Sequence, residues 1–208
     1  MSDKSFSSII SGIISAAVLI VLIGIGVTTC ISKNQDDKIQ VLEKNITELK
    51  EEYIPVRFVK TTKKNKIYVN VSFYNKEDKK IGTKKITFQH GNEIFFDFKT
   101  VTINSNVTIF FPYMIFTDMI APENGEKLYD EYSKSTDQQK LYNFDDKEVL
   151  NLVNEYFRKI INNEPFDTDT VKGSGVHDLA GIRSFVDGKT YEIVCHNKTG
   201  GIEIVEEK

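Results

Sequence analysis

The sequence predicts an α+β protein. An N-terminal transmembrane helix and a short coiled-coil stalk precede a mostly antiparallel β-sheet or small barrel with one docked amphipathic helix. Three observations predict this fold: a long uncharged run, a heptad repeat directly after it, and strand-like alternation that gives way to one helical pattern. The predicted order is a short N-terminal tail at 1–8, a transmembrane helix at 9–31, a stalk at 32–54 and a globular domain at 55–208.

The first element is an apolar segment long enough to cross a bilayer. Between Ile9 and Ile31 the chain has 23 residues and no charged side chain. A helix of that length spans about 35 Å, whereas the hydrocarbon core of a bilayer is about 30 Å thick. The apolar region of a cleavable signal peptide is shorter, at about 7–15 residues. The run therefore predicts a single-pass membrane protein whose first partner is the lipid bilayer.

A cysteine at the end of this segment leaves a second interpretation open. Cys30 follows Val27-Thr28-Thr29, whereas a lipid-acceptor cysteine normally follows Gly, Ala or Ser. We therefore interpret Cys30 as an ordinary residue at the end of the membrane helix. Two alternatives stay open: a lipoprotein matured at Cys30, and reversible acylation of a cysteine at the membrane boundary.

A heptad repeat follows the membrane segment. Apolar residues recur at spacings of 3, 4, 3 and 4 within residues 38–53. Isoleucine at a and leucine at d favour a parallel two-stranded coiled coil, so we expect self-association through the stalk. An amphipathic helix lying on its own domain is the alternative. The predicted interface consists of Ile39, Leu42, Ile46, Leu49 and Tyr53.

The charges around the membrane segment do not fix its orientation. Lys4 precedes the segment, while Lys33, Lys38 and Lys44 follow it. This count favours a C-terminal side that faces the cytoplasm. Long domains, however, follow a signal-anchor across the membrane largely regardless of charge. We therefore expect an extracytoplasmic globular domain, in the cell envelope of a bacterium as judged from the abundant Lys, Asn and Ile.

The first half of the globular domain has the pattern of β-strands. Alternation of apolar and polar residues over 66–74 predicts a half-buried strand, and further strands are expected at 81–89, 93–99 and 107–116. The short connections favour an antiparallel meander. Pro112 implies that the strand at 107–116 lies at an edge there or breaks in two, because proline cannot donate to a ladder.

One helix and a hairpin complete the predicted domain. Residues 145–165 have an apolar stripe at helical spacing, and Asp145 with Glu148 resembles a capping box. Residues 182–196 and 201–207 have the composition of two strands joined by the turn NKTGG. On the first of these strands, Cys195 shares the apolar phase and is expected to be a core thiol.

The charge distribution supplies the main functional indication. Residues 54–90 carry ten basic and two acidic side chains, a net charge of +8, although the whole chain has a net charge of −3. Such a segment could face anionic lipid headgroups or an acidic polymer. The alternative is that these lysines merely protect solvent-exposed strand edges. The candidate anionic-surface contacts are Lys63, Lys64, Lys66, Lys79, Lys80, Lys84 and Lys85.

Catalytic motifs are absent from the sequence. HExxH, CxxC and P-loop patterns do not occur, and we expect no cofactor and no metal. Weak catalytic candidates are His177, Asp178 and His196, which would suit a membrane-tethered, hydrolase-like enzyme if the fold brought them together. The favoured interpretation is a binding or scaffolding module. Its partner would be an unknown protein or envelope polymer, with no nucleic acid expected.

Overall fold

A computed structural model describes residues 52–103, 107–135, 138–165, 170–176 and 185–207. The predicted tail, the transmembrane helix and the stalk up to residue 51 lie outside these residues. None of the helices within the described ranges is both long and apolar enough to cross a membrane. The described residues confirm the α+β class in its coarser form, a mostly antiparallel β structure with a helix.

The described residues form eleven strands, one α-helix and two short 3₁₀ turns. The strands are β1 (Glu52–Lys63), β2 (Lys66–Tyr74), β3 (Lys80–Phe88), β4 (Ile94–Ile103), β5 (Val107–Thr117), β6 (Glu126–Lys127), β7 (Ser133–Ser135), β8 (Gln138–Gln139), β9 (Thr170–Val176), β10 (Thr190–His196) and β11 (Gly201–Glu206). Helix α1 (Lys147–Ile161) precedes β9, and short 3₁₀ turns occupy Pro122–Asn124 and Tyr129–Glu131.

Two larger antiparallel sheets are formed by these strands. The first has the order β11-β10-β1-β2-β3, and the second has the order β6-β5-β4-β9. Of the four predicted strands, β2 pairs with β3 and β4 pairs with β5, but β3 and β4 lie in different sheets, so the predicted meander is not one continuous sheet. The C-terminal hairpin β10–β11 instead returns to pair with β1, so β1 becomes the central strand of the first sheet.

Apolar side chains fill the space between the two sheets. Phe58 of β1 contacts Phe96 of β4, with ring centroids 4.8 Å apart. Every second residue of β2 is buried, beginning at Ile67, while the residues between them are partly or fully exposed. The predicted half-buried strand is therefore confirmed in β2: one of its faces is buried and the other faces solvent.

The start of β1 corrects the predicted end of the stalk. Tyr53 is not available to a coiled coil, because it lies in β1 opposite Cys195 and is buried. Its hydroxyl donates a 2.6 Å hydrogen bond to the carbonyl oxygen of Tyr74. Pro55 is the first residue of the predicted globular domain. It lies inside β1, where the pairing with β10 shifts register between Tyr53 and Val56, as expected where proline removes a ladder donor.

The free edge of β5 is closed by side chains rather than by a full neighbouring strand. The hydroxyl of Tyr142 accepts from the Phe110 N–H and donates to the Phe110 carbonyl, both at 3.0 Å. Tyr132 donates to the carbonyl oxygen of Pro112 at 2.6 Å. β6 pairs only with Met114 and Ile115. Pro112 thus lies in a continuous strand at an edge position, which confirms the first of its two predicted placements.

Helix α1 packs against this closed edge. Phe157 contacts Phe111 and Tyr132, with ring centroids 5.5 and 5.9 Å away respectively. The N-cap is Asp146 rather than the predicted Asp145, because the Asp146 carboxylate accepts from the N–H groups of Glu148 and Val149. The helix ends at Ile161 with Asn162 as its C-cap, which confirms the prediction that Asn162, Asn163 and Pro165 end it.

The predicted C-terminal strands also differ in length. β10 begins at Thr190 rather than at residue 182, because residues 185–189 form a turn in which Gly188 has a φ of 81°. Glycine adopts a positive φ without steric cost because it has no Cβ atom. The NKTGG hairpin between β10 and β11 is confirmed.

Replacing Tyr142 by phenylalanine tests the closure of the β5 edge. The substitution keeps the ring but leaves the N–H and carbonyl of Phe110 buried without their partner, so we expect a loss of about 2–4 kcal/mol in the free energy of unfolding. Denaturant unfolding of the full chain measures this. Tyr68→Phe, which removes an exposed hydroxyl, is the control and should change stability by less than about 0.5 kcal/mol. Equal stability of the two variants would contradict the proposed role of Tyr142.

Candidate binding surface

The solvent-facing side of β1, β2 and β3 gathers part of the predicted lysine set. Lys63 and Lys66 pair directly across the β1–β2 hairpin, and Lys64 lies in the turn between them. Lys85 of β3 pairs with Asn70 of β2, whose side chain is exposed. We call the surface formed by Lys63, Lys64, Lys66, Tyr68 and Lys85 the lysine face.

A tyrosine stands in the middle of the lysine face. Tyr68 is 41% exposed, which is unusual for a large aromatic side chain on a sheet. It pairs with Thr61 on β1 and with Thr87 on β3, so a hydroxyl-bearing residue lies on each side of it. Paired residues of antiparallel strands share a face, which places all three on the solvent side.

The lysine face is open and strongly cationic. Lys63, Lys64 and Lys85 are exposed and Lys66 is half-buried. On the outward phase of β1 from Val59 to Lys63, of β2 from Lys66 to Ser72 and of β3 from Thr83 to Thr87, no position carries an acidic residue. Asp187 is the acidic residue that touches this end of β1, where it accepts from the N–H and hydroxyl of Thr62.

The hairpin that carries the lysines is formed at some energetic cost. Lys64 and Asn65 both have positive φ, at 49° and 60°, as in a two-residue type I′ turn. Lysine is not a residue that this turn favours, whereas asparagine is. Lys63 and Lys66 then stand directly opposite each other, and like charges in such a pair are destabilising. Local stability therefore does not explain the three lysines of this hairpin.

The remaining predicted lysines do not join this surface. Lys79 and Lys80 lie where β2 turns into β3, at the opposite end of these strands and about 26 Å from the hairpin at 3.3 Å per residue. Lys84 pairs with the buried Val71 and so lies on the inner phase of β3. Its ammonium donates to the carbonyl of Lys127 at 2.6 Å and lies 3.6 Å from Glu126. The seven lysines are therefore not one surface.

The arginine of the same sheet is committed to internal ion pairs. Arg57 binds Glu192 through Nε at 2.6 Å and Asp78 through Nη1 at 2.7 Å, and its guanidinium lies 4.3 Å from the centroid of the Tyr74 ring. Partial burial opposes the charged form, but the hydrogen bonds to Asp78 and Glu192 outweigh it and raise the pKa of Arg57. This cluster links β1 to β10 and to the β2–β3 turn, and so has a structural role.

The weak catalytic candidates are not brought together within the described ranges. His177 and Asp178 lie outside them. His196 is at the end of β10, with Nδ1 3.8 Å from Glu52 and Nε2 3.5 Å from Glu203. A cleft of about 140 Å³ lies nearby, and His196 is not one of its lining residues, which are Glu52, Tyr53, Ile54, Arg57, Asn75, Lys76 and Asp78. No observation on these residues favours the hydrolase alternative.

The described parts of the chain contain no cluster of three or more His, Cys, Asp or Glu side chains suited to a metal ion. Cys195 is a free, fully buried thiol on the inner phase of β10, which confirms it as a core residue. Burial raises the pKa of its thiol well above the usual range. A thiol held protonated in the core is a poor nucleophile and a poor metal ligand.

Sequence reasoning did not single out Tyr68, which the structure places on the lysine face. The signal was present in KIYVNVSFY, where Tyr68 falls on the polar phase of an otherwise alternating strand. An aromatic residue on that phase has no place in the core and must face solvent or a partner.

Comparison with known proteins found no family model that matches the chain, no similar curated protein and no similar solved structure.

The burial of Cys195 predicts its reactivity. In the native full-length protein we expect iodoacetamide at mildly alkaline pH to leave Cys195 unmodified, because its thiol is inaccessible and protonated. The same treatment in denaturant should modify it fully. Peptide mass spectrometry measures both states, and rapid modification of Cys195 under native conditions would contradict its placement in the core.

Proposed function

We propose that this protein is a single-pass, membrane-anchored protein whose globular domain is a binding module, and that the lysine face contacts an anionic partner. The observation that carries the proposal is the group of Lys63, Lys64, Lys66 and Lys85 around Tyr68, where the outward strand positions carry no acidic residue. Charged side chains elsewhere on the sheet, such as Arg57 and Lys84, already have partners within the domain.

The direction of β1 supports this assignment. The chain enters β1 at Glu52 and reaches the hairpin at Lys63. Twelve residues of strand place these two points about 36 Å apart at 3.3 Å per residue. An anchor that precedes Glu52 would therefore be joined to the end of the strand that is remote from the lysine hairpin.

The charge of the lysine face determines the kind of partner and how it binds. Lysine ammonium groups at an open surface attract anions through interactions that fade beyond a Debye length of about 10 Å at 0.1 M salt. Binding should therefore weaken as the salt concentration rises. A dimer formed by Ile39, Leu42, Ile46 and Leu49 would present two such faces, which raises the avidity for a repeating partner.

The anchor itself is proposed from the uncharged residues 9–31, with a lipoprotein matured at Cys30 as the alternative. Protease treatment of intact cells tests the topology: an extracytoplasmic domain is digested without cell lysis, whereas a cytoplasmic one is protected until lysis. Intact-mass measurement of the membrane-extracted protein tests the anchor. An unprocessed N-terminus supports the transmembrane helix, and a diacylglycerol-modified N-terminal cysteine would reject it.

Charge reversal tests the binding surface. We expect Lys63→Glu combined with Lys66→Glu and Lys85→Glu, in the full-length protein in detergent, to weaken binding to dextran sulfate by about tenfold or more, since each exposed ion pair contributes about 0.2–1 kcal/mol and repulsion adds to the loss. Isothermal titration measures the affinity.

The matched control is Lys79→Glu combined with Lys80→Glu, at the far end of the same strands. We expect it to change the affinity by less than about threefold, because these side chains lie beyond a Debye length from the lysine face. Equal losses in the two variants would mean that total charge, and not the lysine face, governs binding.

A further inference from the structure

We propose that the lysine face binds an extended anionic polysaccharide that lies along β2, with one sugar ring packed on Tyr68. This inference rests on the proposed function, because it names the chemical class of the partner for the same surface.

The spacing of the outward side chains fits a polymer of rings and anionic groups. Lys66, Tyr68 and Asn70 follow one another on the outward phase of β2, and side chains on one phase of a strand are about 6.6 Å apart. The Lys63–Lys66 pair lies one such step before Tyr68. Lys85, opposite Asn70, lies one step beyond it. A ring on Tyr68 would thus have cationic groups on both sides along the strand.

The groups beside the tyrosine suit a hydroxyl-rich ligand. Thr61 and Thr87 flank Tyr68, and Asn70, Ser72 and Thr83 continue the same outward surface. Hydroxyl and amide groups both donate and accept hydrogen bonds, as the hydroxyls of a sugar do. The exposed face of an aromatic ring also packs well against the C–H face of a sugar. A sheet surface with one exposed ring and several hydroxyls is therefore complementary to a glycan.

A lipid surface fits this arrangement less well. Proteins that dock on membranes place large apolar side chains beside their basic residues so that these enter the bilayer interface. The two other large exposed apolar residues within the described ranges, Met119 and Val186, lie in turns outside the lysine face. Tyr68, Thr61 and Thr87 lie side by side on β2, β1 and β3, and the two threonines supply no large apolar side chain that would enter the bilayer interface.

Single-stranded nucleic acid also fits less well. Sheets that bind single strands present several aromatic side chains on which successive bases stack. Along the outward phase of β1, β2 and β3 near the hairpin, Tyr68 has threonines rather than aromatic residues as neighbours on both adjacent strands. One ring and many hydroxyls favour the sugar polymer.

The experiment compares probes on the full-length protein in detergent. The probes are polygalacturonate, dextran as the uncharged polysaccharide, vesicles of equal parts phosphatidylglycerol and phosphatidylcholine, and single-stranded RNA. We expect polygalacturonate to bind more tightly than the other three. Tyr68→Ala should weaken that binding by about tenfold, as expected when a central aromatic anchor is removed. Tyr68→Phe, which retains the ring, should stay within about threefold of the wild type.

The outcomes separate the inference from the proposed function. Polygalacturonate binding that depends on the lysines but is unchanged in Tyr68→Ala would overturn the inference and leave the proposed function standing. Tighter, lysine-dependent binding of the vesicles or the RNA would do the same. If none of the probes, nor dextran sulfate, depends on Lys63, Lys66 and Lys85, both fail. Melting temperature gives a second readout, since a bound polyanion should raise it by relieving the Lys63–Lys66 repulsion.

Discussion

The need to satisfy the backbone along the free edge of β5 governs much of this fold. β5 is almost entirely buried, yet β6 covers it over only two residues. Other backbone groups of β5 form hydrogen bonds with residues outside the sheet. The Tyr142 hydroxyl bonds to the N–H and the carbonyl of Phe110, the Tyr132 hydroxyl donates to the Pro112 carbonyl, and the Asn197 carbonyl accepts from the Thr108 N–H. An unpaired buried amide would cost free energy comparable to a lost hydrogen bond. Residues 128–135 and 138–144, which have no strong periodicity in sequence, are therefore held over this edge.

The same closure explains why one face of the first sheet remains open. Tyr53, Tyr132 and Tyr142 bury their rings on the inner side, and burial raises the pKa of each phenol well above its usual range. Helix α1 covers the same region through Phe157. The apolar side chains of β1, β2 and β3 are thereby buried on one side of the sheet. Their other side can carry Tyr68, lysines and threonines without cost to the core.

Local patterns predicted some elements well and misled at their ends. Alternation identified β2, and the apolar stripe identified α1. Tyr53 was assigned to the heptad repeat because it lies four residues after Leu49. Over so few residues, a buried residue at the start of a strand can have the same spacing. The sequence predicted Asp145 as the cap, whereas in the structure the Asp146 carboxylate accepts from the first amides of the helix. The ends of helices and strands depend on individual contacts such as caps, whereas their central residues are indicated by the periodicity of the sequence.

By itself the sequence determined which residues of a strand share a face, because side-chain direction has a period of two and is set locally. That is enough to place Lys66 and Tyr68 on the solvent side of β2. Only the tertiary structure decided which lysines meet. The register of β2 against β3 brings Lys85 to the lysine face and turns Lys84 inward, and the return of β10 gives Arg57 its partner Glu192. Register depends on residues far apart in the chain, and a slip of one residue would exchange the two faces.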